Sequence, residues 1–194
     1  SREDPATVKK YGKHIWCQQA LLDRRLVEAG SSFVTLDLSY HTASGTWDTH
    51  GIPGGVYGGI TKGLGSLLPL FDHLLTTLVT DLEERDLLDD TLVIAMGEFG
   101  RTPNMGTQGS TDGRNHWPVE MSMCMAGGGL NHNQTLGSTV RDGSHLKDRP
   151  IIPGDIAASI YKHMEVPLDS QYVDPRGRPR FLLEDGGAPI AELF

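Results

Sequence analysis

A chain of 194 residues and 21.1 kDa is long enough for one domain, and its 38% apolar content can supply a core, which excludes disorder by composition. A net charge of -8 and a pI near 5.4 argue against general nucleic-acid binding. No run of 18 apolar residues exists, which argues against a membrane span. In chain order, Asp4 and Pro5 open a first helix as cap and first-turn residue, and apolar positions from Val8 to Ala29 recur at helical spacing. Gly30 is placed to end that helix in a left-handed conformation. Phe33 to Leu38 reads as a short strand, followed by a glycine-rich loop to about Lys62. A second helix carries one broad apolar face from Leu67 to Leu82. Thr91 to Met96 is apolar almost throughout, as expected of a parallel strand covered on both faces. Val119 to Ala126 reads as a third strand ended by Gly127, Gly128 and Gly129, with a hairpin expected around Leu136 to Val140. Pro153 to Met164 reads as a third helix, and the proline-bearing tail is expected to wrap the surface.

This order predicts an α/β layered sandwich with a largely parallel sheet. Three strands are thin for such a sheet, so the sheet is expected to be completed by sequence outside these 194 residues. No charged-then-apolar leader follows Ser1, which fits either a removed leader or a piece of a longer protein. Cys17 and Cys124 make no disulfide framework and read as core residues.

In open α/β sheets ligands gather at the carboxyl ends of strands, so the polar residues of those loops are the candidates. Asp48 and His50 have the spacing of two ligands on one extended segment, a carboxylate and an imidazole that suit a divalent ion. They read equally as a turn cap and a solvated ring. Glu98 follows a buried strand and needs a cation. Arg101 supplies it in a salt bridge, or else Glu98 is a metal ligand or base and Arg101 an oxyanion clamp. His116 is either packed on Trp117 or a ligand, and His41 is a candidate for an outer supporting role. His132 and His145 read as solvent-exposed, and His14, His73 and His163 as helix residues. The three glycines at 127–129 are a weak phosphate cradle, because no phosphate-loop or dinucleotide motif accompanies them.

The segments W-D-T-H-G at 47–51, G-E-F-G-R-T-P at 97–103 and G-R-N-H-W-P at 113–118 resemble, in order, the hallmark segments of the bacterial domain of unknown function 1501 family. R-R-L-V-E-A-G at 24–30, D-L-E-E-R-D-L-L-D-D-T at 81–91 and the closing G-x-P-I-x-E-L-F at 187–194 are similar too. The resemblance implies an alkaline-phosphatase-like or sulfatase-like domain, of which residues 1–194 would be the carboxy-terminal portion. It implies a divalent metal, zinc or calcium, held by Asp48, His50, Glu98 and His116. Arg101 and Arg114 would hold the anionic oxygens of a small or polymeric phosphate or sulfate ester. It also implies export to the periplasm or beyond, with a leader upstream, and an amino-terminal half that supplies the nucleophile and a first metal-binding aspartate. On this reading the short chain is inactive by itself, since Ser39, Ser44 and Thr46 are poorly placed to attack.

Three departures from the family pattern stand out. Asn115 replaces an acid, Ile52-Pro53-Gly54-Gly55 replaces an acid or amide, and Phe99 stands where related enzymes carry a histidine. A non-catalytic envelope protein with a structural or vestigial metal site is the alternative expectation.

Overall fold

The computed structural model describes residues 3–39, 47–51, 59–106, 109–183 and 186–194. Helix α1 spans Pro5–Tyr11 and α2 spans Ile15–Glu28. The sequence spacing predicts one helix here, but Gly12 takes φ 90° and breaks it. His14 then caps α2, its Nδ1 accepting from the Trp16 N–H at 3.2 Å. At the far end Gly30, at φ 94°, closes a Schellman motif: its N–H donates to Val27 O and that of Ser31 to Leu26 O.

A π-helical turn at Ile60–Leu64 leads into α3, Gly65–Glu83. Together they are long and apolar enough, at mean hydropathy 1.2, to cross a membrane by length and composition. Within it, α3 buries Leu67, Leu74, Thr77, Asp81 and Leu82, and Asp81 bonds to α1 and α2, while 17% of the apolar stretch is buried. Tyr11, Trp16, Cys17, Ala20, Leu21, Leu67 and Leu74 form the main core, with Leu36, Leu38, Trp47 and Leu70 against it. Arg24 is 1% exposed beside this core. Its guanidinium reaches Asp81 at 2.8 Å and also bonds Glu3 and Glu28, while Tyr11 Oη donates to Asp81 at 3.0 Å. A buried charge held this way is satisfied rather than stranded.

The strands are short. Val93–Met96 (β1) pairs with Met123–Ala126 (β4), and between them Gly100–Arg101 (β2) pairs with His116–Trp117 (β3). Ser138–Thr139 (β5) pairs with Leu146–Asp148 (β6), the hairpin expected near there, and Gln171–Val173 (β7) with Pro179–Phe181 (β8). All four pairings are antiparallel. The strand expected at 91–96 is therefore present, but its partner among the described residues runs antiparallel. Met96 is exposed, and so is Cys124, which the sequence reading had put in the core. Phe33 to Leu38 forms no ladder among the described residues, and only its leucines pack inward.

The glycine run after β4 serves the fold. A Cβ on Gly127 would lie 2.3 Å from Thr91 O, and the Gly128 N–H donates to Leu88 O at 2.8 Å, so the run folds over the turn that precedes β1. His132 is exposed, as expected, and its Nε2 donates to Gly127 O at 2.7 Å, which braces the same loop. Helix α4, Pro153–His163, pins the tail through Ser159, whose Oγ accepts from the Ile190 N–H at 2.9 Å. Ile190 and Leu193 then join Leu130 in a second, smaller core.

Candidate functional site

Three backbone segments meet where β2 and β3 pair. Gly100 faces Trp117 and Arg101 faces His116 in the ladder. The Thr102 N–H donates to Asn115 O, and the Arg114 N–H donates to Thr49 O, both at 2.9 Å. The second bond stitches residues 47–51 to residues 113–116. Gly113 permits it, because a Cβ there would lie 1.8 Å from His50 O. Trp47 anchors the stitched segment to the helices. Its ring stacks on Trp16 with centroids 6.0 Å apart and meets Phe71 edge-on, and its Nε1 donates to Leu38 O at 2.9 Å.

Asp48, His50, Asn115 and His116 come together in this frame. Asp48 Oδ1 accepts from the His50 N–H at 3.0 Å and also hydrogen-bonds His50 Nδ1. Burial disfavours the Asp48 carboxylate, but the His50 backbone and ring and the Arg101 charge outweigh it and hold its pKa below the ordinary range. His50 Nε2 lies 3.0 Å from Asn115 Oδ1, which accepts from the His116 N–H at 2.8 Å. The His50 and His116 rings stand 4.9 Å apart, and Phe99 covers His116 from 4.5 Å.

Glu98 is exposed and has no hydrogen bond or ion pair among the described residues, so it forms no salt bridge with Arg101. No three His, Cys, Asp or Glu side chains are grouped as metal ligands among the described residues. The arginines divide. Arg114 is tied to the carbonyls of Thr102 and Arg101, so it braces the loop. Arg101 donates Nη2 to Trp47 O at 3.2 Å, while its Nη1 is buried with no partner. A buried guanidinium N–H without an acceptor has unused capacity for an anionic oxygen.

Thr49 and Trp47 carry parts of this site that the sequence reading passed over. Thr49 is 3% exposed and its Oγ1 is buried without a partner. The signal was available: an aromatic directly before Asp48 and a small hydroxyl between the two candidate ligands. His41, Ser44, Thr46 and the Ile52–Gly55 departure lie outside the described residues. His145 is exposed, its Nδ1 hydrogen-bonds Ser144 Oγ, and its ring meets Trp117 edge-on.

A family model described as "Protein of unknown function (DUF1501)" matches residues 1–194. No curated protein matches, and no solved structure does.

Proposed function

We propose, for a chain that belongs to the DUF1501 family of proteins of unknown function, a role within an exported, metal-dependent hydrolase of phosphate or sulfate esters. Its fold would be a layered, alkaline-phosphatase-like α/β domain, completed by an amino-terminal half that brings the nucleophile. The observation that carries this reading is the Asp48, His50, Asn115 and His116 cluster beside a buried, unpartnered Arg101 Nη1. An imidazole oriented by a carboxylate, next to an arginine with a free N–H, fits a cation and an anionic ester together.

A divalent ion held by Asp48, His50, Glu98 and His116, zinc or calcium on the family resemblance, would supply Lewis acidity toward the ester oxygen. The donor chemistry fits in part. His50 and His116 are adjacent, whereas Glu98 is exposed and would have to turn inward. The chain's own work is to orient and to bind. Asp48 fixes the His50 ring, Arg101 Nη1 takes an ester oxygen, Arg114 holds the loop, and Phe99 shields His116.

The test is turnover of aryl phosphates and sulfates by the full-length protein with zinc, calcium or magnesium, beside Arg101→Ala and His50→Ala. Loss of turnover in both variants is the expected result. No turnover with any ester and metal sinks the reading. The alternative, a non-catalytic envelope protein with a vestigial site, draws on Asn115 standing in place of an acid and on the exposure of Glu98. It predicts metal binding without hydrolysis.

A further inference from the structure

Residues 171–181 form a hairpin that stands apart from both cores. Strands β7 and β8 pair with each other and with no other strand among the described residues, and no residue of the hairpin joins either apolar cluster. Two strands without a buried face are marginal by themselves, so the turn must set the shape. Asp174 does this. Its Oδ1 accepts from the N–H groups of Arg176 at 2.8 Å and Arg178 at 3.0 Å, and its Oδ2 accepts from Arg178 Nε at 2.8 Å. Gly177, at φ 78°, completes the turn by donating its N–H to Asp174 O at 2.9 Å.

The two faces of the hairpin differ. Tyr172 lies opposite Arg180 in the ladder, so these side chains share one face, while Gln171, Val173, Pro179 and Phe181 share the other. Tyr172 is exposed. The chain carries a net charge of -8, yet the hairpin sets three arginines, Arg176, Arg178 and Arg180, against the single Asp174. Arg178 spends its Nε and Nη2 on that aspartate. Arg176 is exposed at the tip, and its guanidinium makes no hydrogen bond or ion pair among the described residues. A positive patch on an acidic molecule draws anions to one place, since the rest of the surface repels them. Guanidinium forks fit the oxygens of sulfate, phosphate or carboxylate groups. An exposed tyrosine ring beside them offers a flat apolar surface with a polar tip, which suits the C–H face of a sugar.

We infer that the Tyr172 and Arg180 face of this hairpin, with Arg176 at its tip, docks an anionic polysaccharide. The arginines hold its acidic groups, and Tyr172 packs on a sugar ring. The pairing of two chemistries selects this occupant. A bare polyanion needs the charges alone and leaves Tyr172 without a role. A lipid surface needs apolar residues at the leading end, but the segment joining the strands is Asp174-Pro175-Arg176-Gly177-Arg178, and Val173 and Phe181 lie on the face away from Tyr172. The docking stands by itself; that the docked polymer is also the ester hydrolysed rests on the proposed function.

The test is binding of fluorescent dextran sulfate to the full-length protein, read by anisotropy at about 0.15 M salt, where weak long-range attraction is screened. Neutral dextran, polyphosphate and phosphatidylglycerol vesicles are the comparison probes, and circular dichroism melting checks folding. The wild type should bind dextran sulfate and not neutral dextran. Arg176→Glu should weaken that binding about tenfold, the scale of one lost charge-assisted hydrogen bond. Only the Arg176 backbone is bonded in the turn, so this variant should melt as the wild type does. Tyr172→Ala should weaken dextran sulfate binding severalfold and leave polyphosphate binding unchanged, while Tyr172→Phe, which keeps the ring, should bind as the wild type. Lys147→Gln, which removes an exposed cation from a different hairpin, should change nothing. Unchanged affinity in Arg176→Glu would overturn the inference, and so would an equal loss in Lys147→Gln, since charge anywhere on the surface would then suffice. Dextran sulfate binding indifferent to Tyr172→Ala would overturn it too, as would tighter binding of polyphosphate or vesicles with the same dependence on Arg176. Turnover of aryl esters without dextran sulfate binding keeps the hydrolase reading and removes this one. Binding with the expected pattern but no turnover of any ester does the reverse.

Discussion

Around Arg24, helices α2 and α3 and Glu3 ahead of α1 share one buried guanidinium, each of whose nitrogens has a carboxylate partner. Around His50, three loops are joined instead by backbone hydrogen bonds, by a glycine that lets two chains touch, and by side chains with bonding capacity left over. The first arrangement consumes its charges to hold a core together. The second leaves Arg101 Nη1 and Thr49 Oγ1 buried without partners; so too, on α2, are Trp16 Nε1, Gln19 Oε1 and Asp23 Oδ2, and the contrast lies in how the charges are paired. Trp47 joins the two, with its ring in the helical core and its carbonyl under Arg101.

The largest effect should come from breaking the helical cluster. Arg24→Ala leaves Asp81 buried against only Tyr11 and Arg85, and leaves Glu3 with only the longer contacts to Arg25 at 3.8 Å and Arg85 at 3.6 Å. Removing one partner of such a buried group costs about 3–5 kcal/mol. Urea unfolding followed by circular dichroism should show that loss. A loss under 1 kcal/mol would mean that the helices hold without the cluster.

Next comes the joint at Gly113. A methyl group added there meets His50 O, so Gly113→Ala must push residues 47–51 away from 113–116. The cost of such overpacking is about 1–3 kcal/mol. If the two regions differ as described, binding of the divalent ion proposed for the loops should fall far more than the melting temperature does. A proportionate fall in both would mean that the loops and the helices are a single cooperative unit.

The helices and the caps Asp4 and Gly30 can be read from sequence, but the buried face less so. Val8, Ile15, Leu22 and Leu26, which carry the apolar spacing, are exposed, and Trp16, Cys17, Ala20 and Leu21 are buried instead, while in α3 Leu67, Leu74 and Leu82 are buried and Leu68 is exposed. The break at Gly12 was less legible, since the apolar spacing continues across it. Strand pairing is a long-range choice that local pattern does not encode. The run Thr91 to Met96 looks the same whether its neighbour is parallel or antiparallel. At the site, His50 and His116 were legible as candidates by residue type. The place of Asn115 was not, because its amide oxygen joins the cluster only through the His116 N–H and His50 Nε2 that the fold brings to it.

Acid should act on the helical cluster in a defined window. Burial works against the Asp81 carboxylate, but bonds from Arg85 and Tyr11 and the charge of Arg24 outweigh it, so its pKa in the folded chain lies below the ordinary 3.8. A depressed carboxylate stabilises the fold fully above the unfolded value and loses that contribution as pH falls through the folded one. Stability attributable to Asp81 should therefore hold at pH 5 and decline below about 3.8. Asp81→Asn should flatten this part of the stability profile. An unchanged profile would mean that Asp81 titrates alike in the folded and unfolded chain.

The smallest effect belongs to the tail, where the Arg149 fork grips Glu192 at 2.7 and 2.8 Å on an exposed surface. The arginine hydrogen bonds draw the Glu192 pKa from 4.5 down to about 2. The shift is depressed, so whatever the pair contributes is present above the ordinary value and is lost as pH falls through about 2. Water screens an exposed pair strongly, and salt should weaken it further. Ile190 and Leu193, buried in the second core, already hold this end of the chain. Arg149→Gln should therefore return the Glu192 pKa toward 4.5 in a carboxyl-carbon NMR titration while leaving the melting temperature almost unmoved. A fall of several degrees would show that charge, and not the two buried apolar side chains, fastens the tail, and would bring this region closer to the Arg24 cluster than to the loops around His50.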